Sequence, residues 1–292
     1  MNRTRLRVAI QGELGSNSHM AALEMLGDLE QPIEIVPCAV SAEVFERLLD
    51  RSPDSGGNPA VDAAVLPIEN SLHGSVAEHY DLLLEHPVRI LRESLLRIRF
   101  NLIAMPGVTF GELRRVLSHP VALAQCRHFL AANRQLEVVP FYDTAGSVKH
   151  LMESQLRDTA GIAPELAAVQ YGGEILQRDL EDHTQNFTRF HLLCREDAVL
   201  FMPTDGARSP NKMTLAFSVE HRPGTLVEAL QLLSAAGVDL TRIESRPVPG
   251  SPWEYVFYVE FRFGDIAHAE AALAALRLHC RMVKELGRYR AA

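Results

Sequence analysis

The sequence has no apolar run approaching the roughly 18 residues that a membrane-spanning helix requires. Its N-terminus carries basic residues but no apolar stretch of the length found in secretory signal peptides. Lys and Arg number 29 against 37 Asp and Glu, so the formal net charge is -8 and the chain lacks the basic excess typical of nucleic-acid and membrane binding. We therefore expect a cytoplasmic protein whose main partners are neither nucleic acids nor membranes.

Cysteine is scarce, and its spacing excludes two common uses. The four cysteines, Cys38, Cys126, Cys194 and Cys280, lie far apart, with no CxxC pair and no histidine at metal-ligand spacing. We expect isolated, reduced thiols, with no disulfide framework and no metal site. The chain also has no motif for a nicotinamide, pyridoxal or nucleotide cofactor, so we expect none.

The composition is that of an ordinary globular protein. Hydrophobic residues make up 47% of the 292 residues and charged residues 23%, which shows no bias toward disorder. A chain of this length lies near the size at which a single hydrophobic core divides. We therefore expect two or three domains.

Predicted strands alternate with predicted helices up to Cys194. Residues 5–11, RLRVAIQ, have the pattern of a buried strand, and the turn GELGSNS leads into a helix from about His19 to Leu29. Further apolar strands and helices of about 10 to 15 residues follow. This alternation predicts an α/β fold with enough elements for two lobes.

A polar segment separates this region from a shorter C-terminal unit. Residues 204–212, TDGARSPNK, are rich in turn formers, as domain linkers are. The remainder shows the order β-α-β-β-α-β, which defines the ferredoxin-like split unit. We predict domains at residues 1–203 and 212–292, joined by a linker at 204–211.

Polar side chains follow two of the predicted strands. Glu69, Asn70 and Ser71 come directly after the apolar run DAAVLPI, where open α/β sheets bind ligands. Ser118 and His119 follow another strand, but no aspartate at a usable spacing orients this histidine. The turn GELGSNS lacks the ending of a phosphate loop, although its glycines and the helix start after it suit a carboxylate. Two interpretations stay open for each of these three sets of polar residues: they contact a ligand, or they only cap a strand or helix.

The strand HTQNFTRFHLL carries a hydroxyl and a fixed charge in an otherwise apolar run. Period-two alternation places Thr188 and Phe190 on one face and Arg189 on the other. If the strand borders a cleft, Thr188 faces a ligand and Arg189 reaches round to hold a carboxylate bidentately. Alternatively, Arg189 pairs with a structural acid such as Glu69.

Two stretches of the C-terminal unit, RPGTLVEAL and IESRPVPG, resemble motifs of the ACT domain, an amino-acid-sensing module of biosynthetic enzymes. That family usually has Pro-Gly-Ala-Leu at the turn, so Thr225 is a departure. The resemblance implies a phenylalanine site formed by Pro223, Gly224, Thr225 and Leu226 of one subunit with Glu244, Ser245, Arg246 and Pro247 of its neighbour. A purely structural dimerisation domain is the alternative.

Four stretches of the N-terminal region occur in the order AIQGELGSNSHMAAL, LPIENSLHGSVAEHYDLL, SHPVALAQCRHFL and NFTRF. They resemble the motifs of the monofunctional prephenate dehydratases that carry a C-terminal ACT domain, and the resemblance covers nearly the whole chain. The first stretch departs from the commoner Gly-Pro-x-Gly-Thr-Phe-Ser form at Glu13, Ser16 and Asn17. Its QGELG form is closer to the one shared with arogenate dehydratases, so an arogenate dehydratase stays open as an alternative.

The resemblance implies a bilobal, periplasmic-binding-protein-like catalytic domain and a ferredoxin-like ACT domain, assembled as a homodimer or homotetramer. The implied reaction converts prephenate to phenylpyruvate, carbon dioxide and water without a cofactor, under feedback by phenylalanine. Thr188 is implied as the proton donor, with Arg189 and Phe190 beside it. The residues implied to bind substrate are Ser16, Glu69, Asn70, Ser71, Ser118, His119, Gln125 and Thr144. A non-catalytic amino-acid sensor is the remaining alternative.

Overall fold

The computed structural model describes residues 5–50, 61–198, 209–248 and 253–292. The chain divides into two compact units, Met1–Val76 with Ser94–Phe190, and Ala77–Glu93 with His191–Ala292. The linker predicted at 204–211 falls mostly outside the described residues, so the predicted domain boundaries stay a prediction. Within the described part, no helix is long and apolar enough to cross a membrane.

The first part of the chain builds one α/β lobe. Its elements are β1 (Leu6–Gln11), α1 (Asn17–Leu26), β2 (Ile33–Cys38), α2 (Ser41–Leu49), β3 (Ala63–Asn70) and β4 (Gly74–Ser75). Helix α3 (Ala77–Glu85) and strand β5 (Val88–Arg97) follow them in the chain. Strand β1 lies between β2 and β3 and is parallel to both. Helix α1 begins earlier than predicted, because the Ser16 hydroxyl accepts a hydrogen bond from the backbone N–H of His19, and it ends before Gly27.

The middle of the chain builds a second lobe. Its elements, and the strand that returns to the first lobe, are β6 (Asn101–Ala104), β7 (Arg115–Ser118), α4 (Pro120–Gln125), α5 (Arg127–Ala132), β8 (Glu137–Pro140), α6 (Thr144–Glu153), β9 (Thr159–Ala163), α7 (Glu165–Tyr171), β10 (Glu174–Gln177) and β11 (Phe187–Arg195). The sheet order is β10-β6-β9-β7-β8, and β11 lies beside β3 of the first lobe. The predicted bilobal α/β architecture is confirmed.

Two chain segments connect the lobes, residues 98–100 and residues 178–186. The backbone N–H of Ile98 donates to the carbonyl of Asn186 at 2.8 Å, and that of Leu180 donates to the carbonyl of Phe100 at 2.8 Å. The two connections are therefore hydrogen-bonded to each other and form a paired hinge.

The C-terminal unit has the predicted order β-α-β-β-α-β. Its elements are β12 (Lys212–Ser218), α8 (Thr225–Ala235), β13 (Asp239–Pro247), β14 (Tyr255–Arg262), α9 (Ile266–His279) and β15 (Met282–Tyr289). Strand β13 lies at the edge of the order β13-β14-β12-β15, and β15 continues to the first half of β5 through Gly287 and Ile90. A Cβ at position 287 would lie 2.5 Å from the Ile90 carbonyl oxygen, so this approach requires glycine.

A buried group of charges lies within the same unit. The Lys212 ammonium is 2.8 Å from a carboxylate oxygen of Glu93 and 2.8 Å from one of Glu260, and all three side chains are at most 7% exposed. Burial by itself would raise the pKa of Glu93, but His191 and Lys212 outweigh burial and hold it below its usual range. Glu93 therefore stays ionised and needs its cationic partners.

We predict that Lys212→Met lowers the free energy of unfolding by about 3 to 5 kcal/mol, because it leaves two carboxylates buried without their ammonium. The matched control is Arg281→Met, which breaks an ion pair with Glu254 whose side chains are 52% and 48% exposed. That control is expected to cost less than about 1 kcal/mol. Urea denaturation followed by circular dichroism measures both, and equal losses in the two variants would contradict the prediction.

Candidate active site

A cavity of about 230 Å³ lies between the two lobes, at the carboxyl ends of β1, β3 and β7. Its lining residues are Gln11, Ser16, Asn17, Ser18, Pro67, His119, Asp143, Thr144, Thr188 and Phe190. A second cavity of about 310 Å³ shares Gln11, His119 and Asp143 with it. Five of the residues predicted to act on the substrate, Ser16, His119, Thr144, Thr188 and Phe190, therefore line one cleft.

The hydroxyl of Thr188 has a defined orientation. The Asn70 side-chain amide nitrogen lies 3.0 Å from Thr188 Oγ1. The Asn70 Oδ1 accepts hydrogen bonds from the backbone N–H groups of Leu72 at 3.0 Å and His73 at 3.1 Å, which fixes which end of the amide is oxygen. Asn70 therefore donates to Thr188, and the Thr188 proton is left to point elsewhere.

The same amide belongs to a network that reaches the second lobe. Asn70 Nδ2 also donates to Asn186 Oδ1 at 2.9 Å, and Asn186 Nδ2 donates to Gln125 Oε1 at 2.9 Å. Asn186 is fully buried, and Gln125 is 5% exposed and outside the cavity lining. Gln125 was predicted to bind substrate, but in this network it is connected to Thr188 only through Asn186 and Asn70. The sequence analysis did not single out Asn186, although this residue begins the stretch NFTRF.

Arg189 lies on the opposite face of β11 from Thr188, as period-two alternation predicts, and it does not line the cavity. Its guanidinium is 3.1 Å from a carboxylate oxygen of Glu69. In this arrangement Arg189 has the structural partner that the sequence left open as an alternative. Ser71 bonds the backbone of the returning segment, since its hydroxyl donates to the Gln185 carbonyl at 3.2 Å.

Ser118 and His119 are adjacent in sequence but differ in position. The Ser118 side chain is fully buried, and its hydroxyl donates to the Ile162 carbonyl at 2.5 Å, so it does not line the cavity. His119 lines both cavities and caps α4, where its Nδ1 accepts from the Val121 N–H at 3.2 Å. A neutral His119 therefore carries its proton on Nε2.

Each lobe directs a helix N-terminus at the cavity. Ser16 caps α1 in the first lobe, and Asp143 caps α6 in the second, where its Oδ1 accepts from the Gly146 N–H at 2.7 Å. Thr144 begins α6 and lines the cavity. Helix N-termini attract anions, because their first N–H groups and the helix dipole both favour negative charge. The cleft can therefore hold two anionic groups from opposite sides.

Glu13 of the first lobe bonds two side chains of the second. The Tyr142 hydroxyl donates to one of its carboxylate oxygens at 2.9 Å, and the Lys149 ammonium lies 3.0 Å from the other. The same turn approaches α7 closely, since a Cβ at Gly15, which has φ +87°, would lie 2.7 Å from the Ala167 Cα. Glu13 departs from the proline usual in the resembling family, and the structure shows that it joins the lobes.

Asp143 was missed by the sequence analysis although it lies at the centre of the cleft. Burial raises its pKa, and the nearby Glu13 adds to the effect, while backbone N–H donors from Gly146 and Glu13 act in the opposite direction. Its sequence context, DTAGS before a helix, is only that of an ordinary N-cap. Nothing in that pattern indicates that the carboxyl faces another lobe.

The residues predicted to bind phenylalanine are placed in two groups. Pro223, Gly224, Thr225 and Leu226 line a cavity of about 420 Å³ together with Trp253 and Tyr255. The Thr225 hydroxyl donates to the carbonyls of Glu220 and Arg222, at 2.8 and 2.9 Å, so it closes the turn.

The second group, Glu244, Ser245, Arg246 and Pro247, lies on the edge strand β13. Arg246 pairs with Asp81 at 2.7 Å and Glu244 with Arg242 at 3.3 Å. Contact between these groups across a subunit interface stays a prediction. Among the described residues, no group of three or more His, Cys, Asp or Glu side chains could hold a metal ion.

Two models of known protein families match this chain. The prephenate dehydratase family model matches residues 8–198, and the ACT domain model matches residues 213–277. Arogenate dehydratase/prephenate dehydratase 2, chloroplastic, of Arabidopsis thaliana is 38% identical over 302 residues, which cover 99% of this chain and 74% of that protein.

Two solved structures are similar over almost the whole chain. The prephenate dehydratase of Arthrobacter aurescens in complex with L-Phe has a TM-score of 0.81 and 31% identity, covering 98% of this chain and 90% of that one. GqqA, described as a novel type of quorum quenching acylase, has a TM-score of 0.83 and 31% identity, covering 98% of both chains.

The two-lobed cleft and these matches define an enzyme, a dehydratase of the carbon–oxygen lyase class. The chain belongs to the prephenate dehydratase family and carries a C-terminal ACT domain. The family predicted from the sequence is therefore confirmed. The cytoplasmic location stays a prediction, and the Arabidopsis relative is chloroplastic.

We predict that Asp143→Asn changes how stability depends on pH. The direction of the change is opposite to that expected for most carboxylates, whose pKa is lowered by folding. Because the pKa of Asp143 is higher in the folded state than in the unfolded state, the protonated carboxyl stabilises the fold at low pH. This stabilisation is lost as the pH rises through the folded-state pKa. The variant, which can keep the helix cap, should gain melting temperature relative to wild type as pH rises from about 4 to 7.

Asp158→Asn is the control of opposite sign. Hydrogen bonds from Thr159 and Arg115 lower the pKa of this exposed carboxyl, so its contribution is present above the ordinary pKa and is lost as pH falls. Asp158→Asn should therefore lose melting temperature relative to wild type as pH rises from about 2 to 5, and the two curves should run parallel from about 5 to 7. Parallel curves for wild type and Asp143→Asn would contradict the role of burial at Asp143.

Proposed function

We propose that the protein is a prephenate dehydratase, which converts prephenate to phenylpyruvate, carbon dioxide and water in phenylalanine biosynthesis. The observation that carries the proposal is the Thr188 hydroxyl, which lines the cleft and accepts a hydrogen bond from Asn70. Because its oxygen is occupied as an acceptor, the hydroxyl is available as a donor to a leaving group.

The reaction requires little from the protein beyond a proton donor and correct placement. The ring carboxylate leaves as carbon dioxide, its bonding electrons move through the cyclohexadiene, and the hydroxyl at the opposite carbon leaves as water after gaining a proton. The ring becomes aromatic, which drives the reaction. A threonine hydroxyl is too weak an acid to ionise, so Thr188 acts as a hydrogen-bond donor or relay to the departing oxygen. Such assistance is typically worth about a hundredfold to ten-thousandfold.

The substrate's two carboxylates match the two helix N-termini that face the cleft. Ser16 and the start of α1 would hold one carboxylate, and Thr144 and the start of α6 the other. The Nε2 proton of His119 adds a donor between them. Phe190, which lines the cavity and is 1% exposed, would pack against the ring.

Arg189 enters this proposal as a positioning residue. Its ion pair with Glu69 joins β11 to the end of β3. Asn70, which donates a hydrogen bond to Thr188, is the next residue of β3. The carboxylate-binding role implied by the family resemblance would require Arg189 to leave this partner. We therefore assign the charge to holding the strand rather than to the substrate.

Arogenate is the second candidate substrate, and two observations favour it. A relative from Petunia hybrida, also 38% identical, is named arogenate dehydratase 2, and the Arabidopsis relative is named for both activities. The cavity beside the cleft is also lined by two carboxyl groups; Glu13 is paired with Lys149, and Asp143 suits the ammonium group that arogenate has where prephenate has a keto group.

The cleft supports dehydration better than the acyl transfer named for GqqA. A hydroxyl nucleophile needs a general base that takes its proton. Thr188 instead faces an amide N–H donor, and the Ser16 hydroxyl accepts from the helix N–H of His19. Neither of these two N–H donors can act as that base.

For regulation, we propose that phenylalanine binds the ACT domain and inhibits the enzyme. The similar structure from Arthrobacter aurescens contains L-Phe, and here the turn Pro223 to Leu226 lines a cavity with Trp253 and Tyr255 that suits an aromatic amino acid. Because β13 is the edge strand of its sheet among the described residues, a second subunit can approach it. We propose at least a homodimer, and a homotetramer as a dimer of dimers.

We predict that purified protein releases phenylpyruvate from prephenate, and that Thr188→Ala lowers kcat by about a hundredfold or more with little change in KM. Thr188→Ser, which keeps the hydroxyl, is the matched control and should retain most of the activity. Arogenate is assayed in parallel by phenylalanine formation. An alanine variant within about threefold of wild type would remove Thr188 from its role, and no turnover of either substrate would favour a sensor.

We predict that L-phenylalanine binds the intact protein in isothermal titration calorimetry and weakens substrate binding by a factor of about 5 to 150. By linkage, saturating substrate must weaken phenylalanine binding by the same factor. D-phenylalanine is the ligand control. Absence of heat at millimolar L-phenylalanine would leave the C-terminal unit as an oligomerisation domain.

A further inference from the structure

A third cavity of the first unit, of about 290 Å³, lies at the hinge and shares no lining residue with the cleft. Its lining residues are Met20, Arg97, Arg99, Asn101, Pro164, Glu165, Arg178 and Asp179. Arg97 precedes the first connection between the lobes and Arg99 lies within it, and Arg178 and Asp179 begin the second connection. Met20 comes from α1 of the first lobe, and Pro164 and Glu165 from the second lobe.

The cavity is cationic, and its guanidinium groups are incompletely neutralised. The ion pair between Arg97 and Glu181 is long, at 3.9 Å. The Nε of Arg97 is buried and has no hydrogen-bond partner. Arg178 pairs with Glu165 at 3.0 Å, but both side chains are 57% exposed, so this pair is weak and exchangeable. Among the described residues, Arg99 has no ion-pair or hydrogen-bond partner from its side chain.

Three guanidinium groups converging on one small cavity are the donor set for an oxyanion. Guanidinium presents paired N–H groups that match carboxylate and phosphate oxygens, and it stays charged at all working pH values. The lining has three guanidinium groups against two carboxyl groups; Glu165 is paired with Arg178, and Glu181, which lies outside the lining, is 3.9 Å from Arg97. A buried Nε–H without an acceptor is unfavourable, and a bound oxyanion would supply the acceptor.

We propose that this hinge cavity binds a small oxyanion, a phosphate or a carboxylate, through Arg97, Arg99 and Arg178. The two hinge connections are hydrogen-bonded to each other, so an anion held by arginines of both would cross-link them. A ligand that binds only the folded hinge raises the melting temperature, and the gain grows with the logarithm of its concentration over Kd. The site is separate from the substrate cleft and does not depend on which substrate the cleft takes.

The test is a titration of the intact protein with inorganic phosphate and, separately, with malonate, at constant ionic strength maintained with chloride. Binding is followed by calorimetry and by melting temperature. We expect saturable binding with at least one of the two anions. Phosphate alone would indicate a phosphorylated ligand, malonate alone a carboxylate, and both a general oxyanion site.

Variants locate the site. Arg99→Gln and Arg178→Gln, both at exposed side chains, should each raise Kd by about tenfold or more, because each removes a charge-assisted interaction. Arg134→Gln, an exposed arginine of the second lobe outside the cavity, is the matched control and should leave Kd unchanged. No saturable binding of either anion, or binding that both cavity variants leave unchanged, would overturn the proposal.

Discussion

The hydrogen bond from the Asn70 amide to the Thr188 hydroxyl is the interaction on which the cleft depends. Two backbone N–H groups, those of Leu72 and His73, hold the amide oxygen, so the nitrogen must face Thr188. The same nitrogen continues through Asn186 to Gln125 of the second lobe. The Thr188 hydroxyl, which we propose as the proton donor, is therefore positioned by side chains from both lobes, and the hydrogen bond that orients it comes from a neutral amide.

The lobes are held around this hydroxyl from two sides. At the mouth of the cleft, Glu13 bonds Tyr142 and Lys149 of the opposite lobe. At the back, the two hinge connections bond each other. Both contacts set the distance between the two helix N-termini that face the cavity. In the proposed function, the spacing of the two substrate carboxylates must therefore match this distance.

Charge is used differently in the two units. The cleft of the first unit relies on neutral donors, helix N-termini and a carboxyl whose pKa burial raises. The C-terminal unit instead buries a lysine between two carboxylates, which is tolerated only because each charge has a partner. A fully paired buried cluster suits a core that must keep one arrangement.

Local periodicity determined much of this protein from sequence alone. Alternating strands and helices predicted the α/β lobes, the order β-α-β-β-α-β predicted the C-terminal unit, and period-two alternation separated Thr188 and Phe190 from Arg189. Each of these follows from residues close together in the chain. Only the tertiary structure decided the partner of Arg189, the inward position of Ser118 and the place of Asp143 in the cleft. Those depend on which distant segments pack together, and sequence spacing carries no information about contacts between lobes.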